Sequence, residues 1–319
     1  MNSLPASIAA APAGDGWVAA KPFDLNDNLA YAAWRAQKLE RYPRTVGELR
    51  VPVADLSRPT VEEKSALVAR CVRSNMALYA TLPQPAENSD ARMRAGLRRF
   101  ASAFGLASME THRSSEDDGI VAIEVTSNQS KRGFIPYTNK PLSWHTDGYY
   151  NPPDAPIRAM LLHCVRPARE GGINALLDPD IAYIRLRDKG RALVAAMMHP
   201  AAMTIPESVE EDGSVRPVST GPVLLIDAAG RLTMRYTARA RNIIWRDDED
   251  TRAAVALLDR LLAHEEEELI IKYKMEAGEG LLSNNVLHTR SGFENGDGDR
   301  DAATRLLYRV RYRERIAGT

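Results

Sequence analysis

His145 and Asp147 stand two residues apart in the run Trp144-His145-Thr146-Asp147, and a third ligand-type side chain, His288, lies far downstream. On a β-strand, residues two apart face the same way, so an imidazole and a carboxylate at this spacing can converge on one metal ion. Two imidazoles and one carboxylate leave several coordination positions open. That set suits non-haem Fe(II), which must also take a co-substrate and O2. Alone, H-x-D is equally a hydrogen-bonded turn pair, and the elements that follow decide between the two.

Three such elements follow in order. Gly171-Gly172-Ile173-Asn174 joins a tight, close-approach turn to an amide side chain. Leu281 to Thr289 runs from an apolar strand into a polar turn that ends at His288. Arg305 and Arg309 lie four apart on the expected strand Thr304 to Tyr312, so both guanidinium groups share one face while Leu306, Tyr308 and Val310 take the other. Two inward arginines are costly unless they meet anions. A dicarboxylate supplies one, and Arg is well shaped for bidentate carboxylate binding. The surface alternative pairs these arginines with Glu294 or Asp301.

The order W-H-x-D, G-G-x-N, L-H-x-R and R-x-x-x-R resembles the taurine dioxygenase (TauD/TfdA) family of Fe(II)- and 2-oxoglutarate-dependent oxygenases, over roughly residues 120–312. The resemblance implies a double-stranded β-helix (jelly roll) core, with His145, Asp147 and His288 as iron ligands. Asn174 falls where the family has Thr or Ser against the 2-oxoglutarate tail. Arg305 becomes the clamp on the distal carboxylate, and Arg309 the second family arginine, near the metal and facing co-substrate or an anionic substrate group. The implied cofactors are Fe(II), 2-oxoglutarate and O2. The implied reaction oxidises a C–H bond of a small molecule, most simply by hydroxylation, while 2-oxoglutarate yields succinate. Desaturation or cyclisation of a biosynthetic intermediate are alternatives on the same centre, and a non-catalytic metal-binding jelly roll is a third. Asp147 sits where related halogenases carry a small residue, which favours hydroxylation or another oxidation over halogenation.

The segment Ile135-Pro-Tyr-Thr-Asn-Lys-Pro-Leu142 is similar to the γ-butyrobetaine/trimethyllysine hydroxylase branch, where a Tyr at this spacing helps cage a quaternary ammonium. Tyr137 matches that Tyr, and cation–π binding gives a physical reason for it. An Asn carried by that branch a few residues earlier is absent here, with Phe134 nearby. Asn139, Tyr149 and Arg309 complete the candidate substrate residues, and Asn128, Gln129 and Lys131 are expected at the mouth. His163, in an apolar strand, reads as a core histidine, and His112, His199 and His264 lack ligand-like partners.

These groups must be held by a surrounding scaffold, and the pattern is α+β. Apolar spacing predicts a helix over Leu25 to Glu40. Thr60 with Glu63 forms a capping box that opens a helix expected to reach Leu78. Ser89 or Asp90 opens another, with Met93, Leu97, Phe100 and Phe104 on one face and Gly105 closing it. From Ile120 onward short strands dominate, at 120–125, 158–165, 174–177, 223–226, 232–236, 269–275, 280–283 and 305–312. Helices interrupt them at 179–187 and 248–266, with Asp250 or Thr251 as cap of the latter. Many short strands between turns indicate a sandwich or barrel of jelly-roll type. The expected organisation is a flexible start over 1–22 and a single catalytic domain over 23–319, mostly helical over about 23–110 and jelly roll over about 118–314.

Composition sets the outer limits. The 319 residues are 44% hydrophobic and 26% charged, with 42 basic and 42 acidic residues, so no net field favours nucleic acid or an anionic membrane. Two cysteines without metal-type pairing fit a reducing compartment. No Lys or Arg precedes Lys21, a poor match to a secretory signal, and no apolar run approaches the roughly 20 residues of a membrane span. A cytoplasmic enzyme with a small-molecule substrate is the expectation. Family members commonly self-associate, so a homo-oligomer is an open reading.

Overall fold

The computed structural model describes residues 22–81, 90–110, 118–125, 135–209, 213–239, 241, 243–265, 267–296 and 304–319. The N-terminal segment 1–21, the loop residues Asn128, Gln129, Lys131 and Phe134, and also Ser89, His112 and Asp301 lie outside the described residues.

Two facing sheets form the core. The larger has six strands in the order Arg50–Val53, Met76–Thr81, Glu279–Ser283, Ala159–Arg166, Leu306–Tyr312, Val121–Glu124. The smaller has four, Ile271–Tyr273, Asn174–Leu177, Leu287–Arg290 and Leu142–His145. Pairing is antiparallel except between the first two strands of the larger sheet. The chain alternates between sheets, for example from Ala159–Arg166 to Asn174–Leu177 and from Glu279–Ser283 to Leu287–Arg290. This is the jelly-roll core of an α+β fold.

Period-two alternation assigns the faces of the larger sheet. Met76, Leu78, Met160, Leu162, Leu281 and Leu307 join the cluster between the sheets. Ala77, Tyr79, Leu161, Leu282, Tyr308 and Val310 join a second cluster on the outside. Helices Val61–Ser74 and Asp90–Ala103 cover that outer face with Leu67, Cys71, Leu97 and Phe100. Each such fully buried side chain contributes roughly 1.5–3 kcal/mol of transfer free energy. On the far side, helices Asn28–Arg41, Pro179–Lys189, Arg191–Met198 and Glu249–Arg260 pack around the inner cluster. Buried Lys38 fastens the first of these to the start of the second through Asp178 and Asp180, each at 2.6 Å.

Three expectations need correction. The helix opened by Thr60 ends at Ser74, not Leu78; Asn75 takes a left-handed conformation (φ 55°) and Met76–Thr81 is a strand of the larger sheet. Its residues are apolar on both faces because both are covered, and such a run carries no period that separates strand from helix. Two strands of the larger sheet therefore come from the part expected to be mostly helical. The late helix is α-helical over Glu249–Arg260, with Asp248 as its cap, accepting from the Thr251 backbone N–H at 3.0 Å, and it widens into a π turn at Leu261–Glu265. The strand expected at 269–275 shortens to Ile271–Tyr273.

Candidate metal centre

His145 and His288 pair directly across neighbouring antiparallel strands, so their side chains leave the same, inward face of the smaller sheet. Their ring centroids are 4.2 Å apart. Strand Leu142–His145 ends at His145, and Asp147 lies just past it in a turn. The carboxylate is delivered by a clamp instead: Asn285 accepts from the Asp147 backbone N–H at 2.8 Å and donates to its carbonyl at 2.9 Å. Asn285 also donates to the carbonyl of Ile157 at 2.8 Å, from a left-handed backbone position (φ 52°) that Asn tolerates. Thr146 anchors the same turn to Tyr236 by two 3.0 Å bonds.

The three ligand-type side chains present donor atoms all within 4.8 Å of one another. Each histidine binds a backbone carbonyl two residues earlier through Nδ1, His145 to Ser143 at 2.8 Å and His288 to Val286 at 2.9 Å. That bond puts the proton on Nδ1 and leaves Nε2 with a free lone pair, the tautomer a metal requires. Asp147 is 4% exposed, and its Oδ2 is buried with no hydrogen-bond partner. A buried carboxylate oxygen without a donor is costly, and a divalent cation there removes the cost. The donor set therefore fits one Fe(II).

The charges of these groups suit metal binding. Burial, reinforced by the neighbouring His288, pushes the His145 imidazolium down to about 3, and burial lowers His288 as well, so both rings are neutral near pH 7. Burial alone would raise the Asp147 carboxyl, but the Arg309 and Arg311 guanidiniums outweigh it and hold it well below the usual range. Arg309 approaches Asp147 to 3.4 Å, and its Nε is buried without a partner.

A second polar cluster sits further along the same interior. Asn174 pairs with Arg290 on one side and Tyr273 on the other, and all three occupy the inward face with His288. Gly171 and Gly172 both adopt positive φ (67° and 69°), and a Cβ on Gly171 would lie 2.2 Å from the carbonyl of Gly292. A Cβ on Gly172 would lie against Arg305 Nε at 3.5 Å, Ala168 at 3.4 Å and Phe293 at 3.6 Å, so the turn packs directly on the guanidinium. Arg305 is 4% exposed and stacks over Phe293 at 5.0 Å. No carboxylate among the described residues forms an ion pair with it. Glu294, the surface alternative, pairs with Arg169 instead at 2.8 Å. Burial lowers the Arg305 guanidinium to about 10.

The structure thus brings His145, Asp147, His288 and Arg309 into one cluster; Arg305 stands with Arg290 at the Phe293 ring, and Asn174 pairs with Arg290 on the neighbouring strand. Tyr149 stands edge-on to His145 at 6.4 Å, and its hydroxyl accepts from Arg239 at 3.3 Å. Tyr137 is buried and packed into the inner hydrophobic cluster. Asn139 is exposed, and its carbonyl accepts from the Phe293 backbone N–H at 3.1 Å. His163 is a core histidine, fully buried against Tyr79.

Four residues near these clusters carry no sequence-derived role. Asn285 is one. Arg311 continues the two-residue series 305, 309, 311; it is ion-paired with buried Glu110 and donates to the Tyr150 hydroxyl at 2.8 Å. Its even spacing was the available signal. Arg290, the last residue of L-H-x-R, and Arg239, at the rim, are the others.

The sequence matches the family described as "Taurine catabolism dioxygenase TauD, TfdA family" over residues 89–311, more than half of the chain. The chain belongs to this family. A curated relative, uridine-5'-phosphate dioxygenase from an Amycolatopsis species, is 33% identical over 94 residues, 30% of this chain and 33% of that protein. The chain thus matches only about one third of that relative's length. Among solved structures, asparagine oxygenase with Fe(II), (2S,3S)-3-hydroxyasparagine and succinate aligns with a TM-score of 0.55 at 14% identity, covering 83% of this chain and 93% of that one. The non-haem iron oxygenase OrfP with Fe, succinate and (3S)-hydroxy-L-Arg gives 0.56 at 15% identity, covering 81% of each chain. A taurine dioxygenase from Burkholderia xenovorans gives 0.54 at 16%, covering 85% and 89%. These likenesses establish the fold. Among the described residues no helix is long and apolar enough to cross a membrane.

Proposed function

We propose that this chain oxidises a C–H bond of a small polar molecule, most simply by hydroxylation, coupled to conversion of 2-oxoglutarate to succinate and CO2. One observation carries the reading: a metal-ready triad and a buried arginine without a carboxylate partner occupy one interior. A simple metal site needs no such arginine, whereas a co-substrate with a distal carboxylate does.

His145, Asp147 and His288 hold Fe(II), which when bound supplies the O2 and electron-transfer chemistry that the side chains lack. Arg305 receives the distal carboxylate of 2-oxoglutarate, with Gly172 packed beside its guanidinium, and Asn174, paired with Arg290, contributes its amide from the smaller sheet. Arg309, 3.4 Å from Asp147 and with a free buried Nε, orients a carboxylate close to the metal. Which carboxylate, co-substrate or substrate, depends on the substrate. Buried Phe293 and the inner core exclude water on the co-substrate side.

The substrate enters past Tyr149 and Arg239, the groups next to His145 at the rim. A cationic donor at this rim favours a substrate with a carboxylate or phosphate. Such groups occur in the amino acids bound to the two oxygenases above and in the nucleotide for which the curated relative is named.

The test is anaerobic addition of Fe(II) and then 2-oxoglutarate, read by the weak visible charge-transfer band. A succinate-release screen follows, over amino acids, nucleoside monophosphates and organic acids. No band, and no succinate in air with any panel member, would sink the proposal.

A further inference from the structure

Arg290 leaves the strand of His288 and is 3% exposed. It donates to three carbonyls of the segment that precedes the His145 strand: Thr138 at 2.9 Å, Lys140 at 2.5 Å and Pro136 at 3.5 Å. No carboxylate among the described residues balances its charge. Its guanidinium lies 4.8 Å from the Phe293 ring, and that of Arg305 lies 5.0 Å from the same ring. Two buried cations thus share one phenyl group.

We propose that Arg290 is a positioning residue that couples occupancy of the Arg305 site to closure of segment 136–142 beside the metal. With no anion present, Arg305 repels Arg290 at low local dielectric and weakens its charge-assisted bonds to the three carbonyls. A carboxylate on Arg305 cancels that repulsion, and Arg290 then holds the segment against the His288 strand. The segment runs directly into Leu142–His145, so the first metal-ligand strand is braced when the co-substrate is in place. Asn139 takes part through its backbone, which accepts from Phe293. The sequence pattern L-H-x-R thereby gains a mechanical role, distinct from ligation. The inference rests on Arg305 receiving the 2-oxoglutarate carboxylate.

The experiment is amide hydrogen exchange over residues 138–142 of the full Fe(II)-loaded chain without O2, with and without saturating 2-oxoglutarate. Binding is followed in the same samples by the charge-transfer band. The wild type should slow by at least ~5-fold on binding, the low end of a site-to-site coupling. Arg305→Gln removes the repelling charge and should show the slowed exchange even without 2-oxoglutarate. Arg290→Met should exchange fast in both states and, by reciprocity, bind 2-oxoglutarate at least ~5-fold more weakly. A purely structural Arg290 would leave Arg305→Gln exchanging like the unliganded wild type, which would overturn the proposal. So would a full charge-transfer band without slowing in the wild type, with the Fe(II)/2-oxoglutarate reading left standing. No band at all would remove both.

Discussion

Asn285 offers a sharp test of how the carboxylate ligand is held. Its side chain makes three hydrogen bonds, to both backbone groups of Asp147 and to the carbonyl of Ile157, and it is 3% exposed. Asn285→Gly removes all three while retaining a backbone that accepts φ 52° without strain. At about 1 kcal/mol net per bond, the loss is ~3 kcal/mol. The greater freedom of Gly in the unfolded chain adds roughly 0.5–1 kcal/mol. Urea unfolding of the metal-free protein should therefore show a destabilisation of ~3–4 kcal/mol, summing these two contributions. Loss of the clamp also frees the Asp147 turn, and outer-shell losses of this kind weaken metal binding by roughly 10–100-fold. Anaerobic Fe(II) titration measures that directly. A destabilisation under about 1 kcal/mol, smaller than one typical buried bond, together with unchanged Fe(II) affinity, would refute the clamp.

Four further expectations follow. Arg305→Met should weaken 2-oxoglutarate binding on the order of 100-fold, as loss of charge-assisted bonds worth ~3 kcal/mol requires, while Fe(II) affinity stays nearly constant; titration of both ligands decides, and equal losses would count against the assignment. Asp147→Asn leaves Arg309 facing a neutral amide and should abolish succinate formation. Chelation of Fe(II) should do the same, with recovery on adding Fe(II) but not redox-inactive Zn(II); sustained turnover with zinc would contradict an oxidative role for the metal. His163 is pushed down to about 4 by burial, so the unfolded chain takes up its proton at higher pH than the folded one. Stability then falls as pH drops below the unfolded value near 6.5, by ~2 kcal/mol between pH 6.5 and 5 for this one group. His163→Gln should flatten that slope in urea unfolding measured across the range, and an unchanged slope would exclude His163 as its source.

Much of the site was legible in the residue order because its parts are local and chemically distinctive. H-x-D, a paired glycine turn and arginines at even spacing each obey a short-range rule: period two on strands, positive φ at glycine, one face for residues 305 and 309. Leu306, Tyr308 and Val310 do fall in the outer cluster, opposite the face from which Arg309 reaches Asp147. The strand Met76–Thr81 was illegible because both its faces are covered, which erases the alternation. Asn285, Arg290 and Arg239 were illegible for another reason. Their partners are backbone carbonyls and a hydroxyl from segments distant in sequence, and no spacing rule announces such contacts.

The sequence by itself determined the family, since the ligand types, their order and the arginine series match TauD/TfdA over residues 89–311. Only the tertiary structure decided how the parts act together. Strand pairing sets His145 opposite His288, a side chain from residue 285 fixes Asp147, and Phe293 brings two unbalanced guanidiniums to one ring. The physical reason is that residue type sets what chemistry is available at short range. Charge balance and buried hydrogen bonding depend on which distant segments the two sheets bring into contact.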